Sequence, residues 1–149
     1  MRAVVQRVQS AKVVVAGETV SEIGYGLMVL LGVEKEDTDV DLDYIYKKVT
    51  GLRVFDDANG VMNISFKDSG AELLVVSQFT LYGDARKGHR PSYIRAAGFD
   101  DGIRFYEAFI ERAQAEGYHV GTGRYGADMD VHLVNHGPVT ILLDSRREF

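Results

Sequence analysis

Two stretches of this chain hold residues that could do chemistry. The first is Ser77-Gln78-Phe79-Thr80-Leu81-Tyr82-Gly83-Asp84. Ser77 and Thr80 carry hydroxyls, and Gln78 offers both a donor and an acceptor. They follow the apolar run Leu73–Val76, and polar groups at the end of a buried strand suit the floor of a pocket better than a core. A nucleophilic hydroxyl needs a base beside it. The motif contains neither histidine nor lysine, and His89 could approach only by loop folding. Backbone N–H groups at such a strand end could form an oxyanion site instead. The second stretch, Asn135-His136-Gly137-Pro138-Val139-Thr140, holds one of the two prolines, between runs that read as strands, Asp130–Val134 and Val139–Asp144. Proline cannot donate to a strand ladder, and X-Pro is the only peptide bond commonly found cis. A cis Gly-Pro here would fix two neighbouring carbonyls with no side chain on Gly137 in the way. Backbone could then recognise a small substrate; a plain tight turn is the other reading of the same residues.

Three further patterns need weighing. Arg86-Lys87-Gly88-His89-Arg90 is the most basic stretch of the chain and reads either as a phosphate contact or as a solvated loop. Gly121-Thr122-Gly123-Arg124-Tyr125-Gly126 matches G-x-G-x-x-G, but that pattern works only where a helix follows to receive the pyrophosphate. Here the alternating strand pattern Met129–Val134 follows, so dinucleotide binding is rejected. His132 and His136 do not converge on a metal at strand or turn spacing, and no metal site is expected.

These residues must be positioned by regular elements. Val4–Val8, Lys12–Val15 and Glu18–Ile23 read as strands, with a turn at Gly17. Gly26–Val33 is a continuous apolar run expected to form a buried central strand. Thr38 opens a helix, with Asp41 in the capping-box position and Leu42, Ile45, Val49 and Leu52 as its apolar stripe. Asn59-Gly60 marks a turn, and Glu72–Phe79 is a strand. A second helix opens at Asp100 or Asp101, buries Ile103, Tyr106, Phe109, Ile110 and Ala113, and ends at Gly117 in the left-handed conformation. Short strands and Gly-rich turns complete the chain. The expected fold is α/β: a sheet-dominated three-layer β/β/α sandwich of about eight strands with two main helices on one face.

Composition sets the limits of class. A chain of 149 residues makes one domain, residues 1–149, without linker, repeat or low-complexity tract. Hydrophobic residues at 46% and charged residues at 26% are ordinary for a globular protein. The absence of cysteine excludes disulfides, thiolate catalysis and cysteine-ligated zinc. Gln6 and Arg7 interrupt the N-terminal apolar run too early for a signal peptide, and Leu27–Leu31 is too short to span a bilayer. A net charge of −5 argues against non-specific coating of nucleic acid, yet leaves room for a local basic patch.

Taken together, several ordered motifs resemble those of the D-aminoacyl-tRNA deacylases. They are Met1-Arg2-Ala3-Val4-Val5-Gln6-Arg7-Val8, Leu52-Arg53-Val54-Phe55 with Met62-Asn63, Ser77–Tyr82, Arg86-Lys87-Gly88 with Arg90-Pro91-Ser92, Thr122–Met129, and Asn135-x-Gly137-Pro138-Val139-Thr140. The resemblance runs from the first residue to about Arg146. It implies a cytoplasmic ester hydrolase that frees D-amino acids, and glycine from mischarged tRNA, from aminoacyl-tRNA. It also implies a homodimer whose cis Gly137-Pro138 is presented across the interface, with no membrane association and no cofactor. On this reading Ser77, Gln78, Phe79 and Thr80 form the catalytic wall, with Phe79 and Thr80 N–H as oxyanion donors. Gly137 and Pro138 are the chiral gate, Arg7 holds it, and Arg86, Lys87 and Arg90 contact tRNA. The chain departs from the family at Gly83-Asp84-Ala85, where a hydroxyl at position 85 is missing, and Tyr93–Asp101 carries no assigned role. A non-catalytic tRNA- or RNA-binding module and a small-molecule aminoacyl esterase are the alternatives.

Overall fold

Residues 1–149 are described by a computed structural model. Its first strand, β1 (Arg2–Val15), is unbroken where the sequence reads as two short strands. On one edge Arg2–Val8 pairs with β3 (Gly26–Gly32) and Ala11–Val15 with β2 (Glu18–Ile23), so the exposed Gln9-Ser10 falls where one neighbour gives way to the other. Its other edge carries β8 (Asp130–Asp144). β6 (Glu72–Ser77) runs parallel to β3, and β7 (Val120–Thr122) runs parallel to β6. Strands buried on both faces need no polar alternation, which explains the continuous apolar runs of β3 and β6.

The sheet order is β2-β1-β3-β6-β7, with β8 on β1. The sheet curls until its ends meet, where the Ser21 hydroxyl donates to the Thr122 carbonyl. Gly121 permits this approach, since a Cβ there would lie 3.1–3.2 Å from Leu74, Ile23 and Ser21. Curling creates two apolar layers. Val8, Ala11, Val13, Ile23, Met28, Leu74 and Val76 pack inside the curl. Leu27, Val29, Leu31, Leu73 and Val75 face outward and are covered by the helices. The arrangement is the expected three-layer one: folded sheet on sheet, with helices on one face.

Helix α1 (Asp39–Gly51) starts as its capping box requires, the Asp41 carboxylate accepting the Thr38 N–H at 2.8 Å. Leu42, Ile45 and Val49 are buried with Tyr46, while Leu52 lies just past the helix. A one-turn helix, α2 (Phe66–Ser69), was not anticipated; four residues are too few for periodicity to reveal. It follows a small hairpin of β4 (Phe55–Asp56) and β5 (Met62–Ile64) around the Asn59-Gly60 turn. Helix α3 (Phe99–Ala115) begins before Asp100, and Phe105 is buried while Ile103 is only half-buried. It ends as expected at Gly117 (φ +88°): Gly117 N–H donates to the Gln114 carbonyl and Tyr118 N–H to that of Ala113.

β8 is one strand interrupted by a bulge, where the sequence suggests two. Pairing steps from Gln6↔Thr140 to Val8↔Asn135, so 136–139 stand outside the ladder opposite Arg7. Pro138, which has no N–H to contribute, sits in this loop and leaves the ladder intact on both sides. No helix is long and apolar enough to cross a membrane.

Candidate active site

Parallel strands β3 and β6 end side by side, with Leu31 opposite Ser77, and the chain leaves β6 through Gln78 into a 3-10 turn, Phe79–Tyr82. Gln78 N–H donates to the Leu31 carbonyl at 2.8 Å, which fixes the start of that turn to β3. The first N–H groups of a helical turn have no acceptor within it, and here these are the N–H groups of Phe79 and Thr80. A cleft of about 420 Å³ opens here, within the range of ligand sites. Val76, Ser77, Gln78 and Phe79 form one wall; Tyr125, Gly126, Ala127, Asp128 and Met129 face it. Thr80 lies just outside, its hydroxyl accepting a hydrogen bond from the Gln78 side-chain amide. An amide cannot take up a proton, so this contact orients Thr80 without activating it.

The facing wall begins at Tyr125 and Gly126, the end of the stretch that matches G-x-G-x-x-G, and the glycines of that stretch serve packing. A Cβ at Gly123 would lie 2.7 Å from Met129 Sδ, and one at Gly126 (φ +76°) 2.8 Å from the Phe99 ring. No helix follows, as expected of a strand-forming sequence. Tyr106, buried on α3, ties the two walls: its hydroxyl donates to the Val75 carbonyl at 2.9 Å and accepts Gly123 N–H at 3.2 Å. Burial raises its pKa to about 12, so it stays a neutral hydroxyl. Ala97 and Phe99 also line the cleft, although Tyr93–Asp101 offered no functional pattern in sequence.

Gly137-Pro138 is cis and both residues are exposed. Arg7, 5% exposed, lies beneath: its Nε donates to the His136 carbonyl at 3.2 Å and its Nη1 to the Val54 carbonyl at 2.7 Å. A Cβ on Gly137 (φ +125°) would lie 2.9 Å from Arg7 Nη2 and from Val139 Cγ2. Asn135 spans the bulge, its Oδ1 accepting Val139 N–H at 3.1 Å and its Nδ2 donating to Thr140 Oγ1 at 3.0 Å.

The fold separates these two constellations within one chain. Arg7 is level with Leu27, whereas Ser77 is level with Leu31. At strand spacings the gap is about 13 Å along the sheet and, with β1 and β3 between, about 14 Å across it. In strand-to-strand register with one another, exposed Leu142, half-buried Val4 and Leu30 and buried Val76 form an apolar row on the face that lines the curl.

Of the basic loop, Arg86 is already engaged. Its guanidinium forks onto Asp84 at 2.8 and 2.6 Å and holds that carboxyl well below the usual carboxylate range. Lys87 and Arg90 are exposed and make no ion pair, so they remain free for phosphate. His132 is exposed, and His136 sits edge-on to Tyr25 with ring centroids 5.9 Å apart.

The chain matches a family model described as D-Tyr-tRNA(Tyr) deacylase over residues 4–144. It is 56% identical to a D-aminoacyl-tRNA deacylase of Thermotoga petrophila and 53% identical to one of Clostridium botulinum, each over 149 residues and the full length of both chains. Among solved structures it resembles a c-Myc DNA Unwinding Element Binding Protein (42% identity, TM-score 0.91, covering 97% of this chain and 98% of that one). A probable eukaryotic D-amino acid tRNA deacylase shares the fold at 18% identity (TM-score 0.83, covering 96% and 98%).

Proposed function

This chain belongs to the D-Tyr-tRNA(Tyr) deacylase family, and on that premise we propose that it clears D-aminoacyl and glycyl esters from tRNA at a site completed by a second copy of itself. It is a carboxylic ester hydrolase acting on aminoacyl-tRNA. The terminal adenosine and its ester enter the cleft of Ser77, Gln78 and Phe79. Water attacks the ester carbonyl carbon, the Phe79 and Thr80 N–H groups stabilise the oxyanion, and the C–O bond to the ribose breaks to leave free amino acid and tRNA. The neighbouring ribose 2′-OH assists the attacking water. An aminoacyl ester is already activated, so positioning and electrostatics suffice without a protein nucleophile. No histidine or lysine lines the cleft, which supports this version over attack by Thr80 Oγ.

Selectivity comes from the partner's Gly137-Pro138. Its two carbonyls accept hydrogen bonds from the substrate ammonium, and the backbone leaves no room for an L side chain; rejection by clash is a common basis of specificity. Glycine, having no side chain to exclude, passes. The observation that carries the two-copy arrangement is the separation of gate and cleft within one chain. Exposed Leu142, beside half-buried Val4 and Leu30, supplies apolar surface for the second copy. The site of action is the cytoplasm, where aminoacyl-tRNA is used.

Subunit mixing tests this. Gln78→Ala disables the wall and a Pro138→Ala/Gly137→Ala pair disables the gate; each homodimer loses D-selective turnover. Heterodimers formed by co-expression contain one intact wall facing one intact gate, and recover about half of wild-type activity per dimer. Heterodimers as inactive as their parents would place gate and cleft in the same chain and refute the arrangement.

A further inference from the structure

Beside the cleft, on the rim opposite Phe99, three large apolar side chains stand open to solvent: Phe79 (54% exposed), Tyr93 (40%) and Ile94 (75%). The Phe79 and Tyr93 rings meet edge-to-face with centroids 5.2 Å apart. This shelf is held in place. Asp84 and Ser92 exchange backbone hydrogen bonds of 2.8 and 2.9 Å, closing the loop that precedes Tyr93. Gly83 makes room for the ring, since a Cβ there would lie 3.0 Å from both Tyr93 Cε1 and the Thr80 carbonyl oxygen. The closed loop carries Lys87 and Arg90, the cations left free after Arg86 is spent on Asp84.

We infer that the Phe79–Tyr93–Ile94 shelf, with Lys87 and Arg90, is a second nucleotide subsite that stacks an unpaired base of the tRNA 3′ strand next to the terminal nucleoside. The inference rests on the tRNA-ester reading of the cleft and extends it outward. A cleft of about 420 Å³ takes a terminal nucleoside, so the rest of the single strand must leave across a rim. Two rims offer aromatic rings, and charge chooses between them. Phe99 is exposed but is followed by exposed Asp100 and Asp101 and shares the cleft lining with Asp128, so that three carboxylates outweigh the exposed Arg124 on that side and repel a phosphate backbone. The Tyr93 rim is flanked by free cations. Rings that accept any base face, beside cations that follow the backbone, are how sequence-tolerant single-strand sites are built. The adjacent base enters without hydrogen-bond readout, as suits an enzyme acting on many tRNAs that share one 3′ end.

The test compares three substrates of the intact dimer: D-Tyr-tRNA, a D-tyrosyl trinucleotide ending in adenosine, and the D-tyrosyl ester of adenosine alone. Tyr93→Ala should raise KM about tenfold for the first two, the scale of losing one stacked base, and leave KM for the adenosine ester and all three kcat values unchanged. Tyr93→Trp should restore tight binding. Binding of uncharged tRNA against adenosine monophosphate, measured on the same variants, reads the shelf independently of turnover. If wild type binds tRNA yet hydrolyses none of the esters, the functional reading fails while the shelf is still judged by that ratio. Equal losses on all three substrates, or no loss on tRNA, would overturn the inference. So would dissociation of the dimer by Tyr93→Ala in light scattering, which would give the shelf to a second copy.

Discussion

At the scale of single residues, the chemistry turns on what Thr80 does. Its hydroxyl meets only the Gln78 amide, and its N–H is one of the first two of the turn, which have no acceptor within it. Thr80→Ala removes the first and keeps the second. The expected outcome is a kcat for D-Tyr-tRNA within about tenfold of wild type, whereas loss of a true nucleophile costs several orders of magnitude. Single-turnover kinetics separates the two, and a collapse of kcat with binding intact would move the chemistry to the side chain. The residues of this wall were legible in sequence because polar groups at the end of an apolar run are out of place in a core. Phe99 and Ala97 were not legible. Their role comes from where α3 begins beside the 123–129 loop, and no local pattern encodes that contact. Nor could sequence tell that Arg86, the first cation of the basic loop, is already committed to Asp84.

At the scale of elements, the β8 bulge depends on β1. Arg7 is nearly buried and donates to two carbonyls, one in the bulge and one on Val54, beside β4. Arg7→Lys keeps the charge but cannot reach both acceptors, and a buried unpaired carbonyl costs about 1–3 kcal/mol. The variant should melt several degrees lower and hydrolyse D-Tyr-tRNA more slowly while binding uncharged tRNA normally. Unchanged turnover would mean the gate holds its shape without Arg7. Helix positions were readable from periodicity, the Thr38–Asp41 box and Gly117 because those signals are local. The continuity of β1 and β8 was not. Each is broken in sequence by polar or proline residues, and each is made whole by the neighbour that pairs across the interruption.

At the scale of the whole molecule, sequence pattern gives the layers, but the curl of the sheet decides what can meet. It sets the ends of β3 and β6 four residues along the sheet from the level of the β8 bulge, with β1 and β3 between. That separation is what the proposed two-copy arrangement rests on, and it could not be read from motifs that lie well apart in sequence in any fold. An acidic chain with a few free cations at one rim also suits a partner recognised at its end rather than along its length. The most direct test of the central claim is paired deacylation of D-Tyr-tRNA and L-Tyr-tRNA by the purified protein. The expected outcome is rapid loss of the D ester with the L ester spared, and loss of that discrimination or of activity in Pro138→Ala. Equal hydrolysis of both esters by the wild-type protein would contradict it.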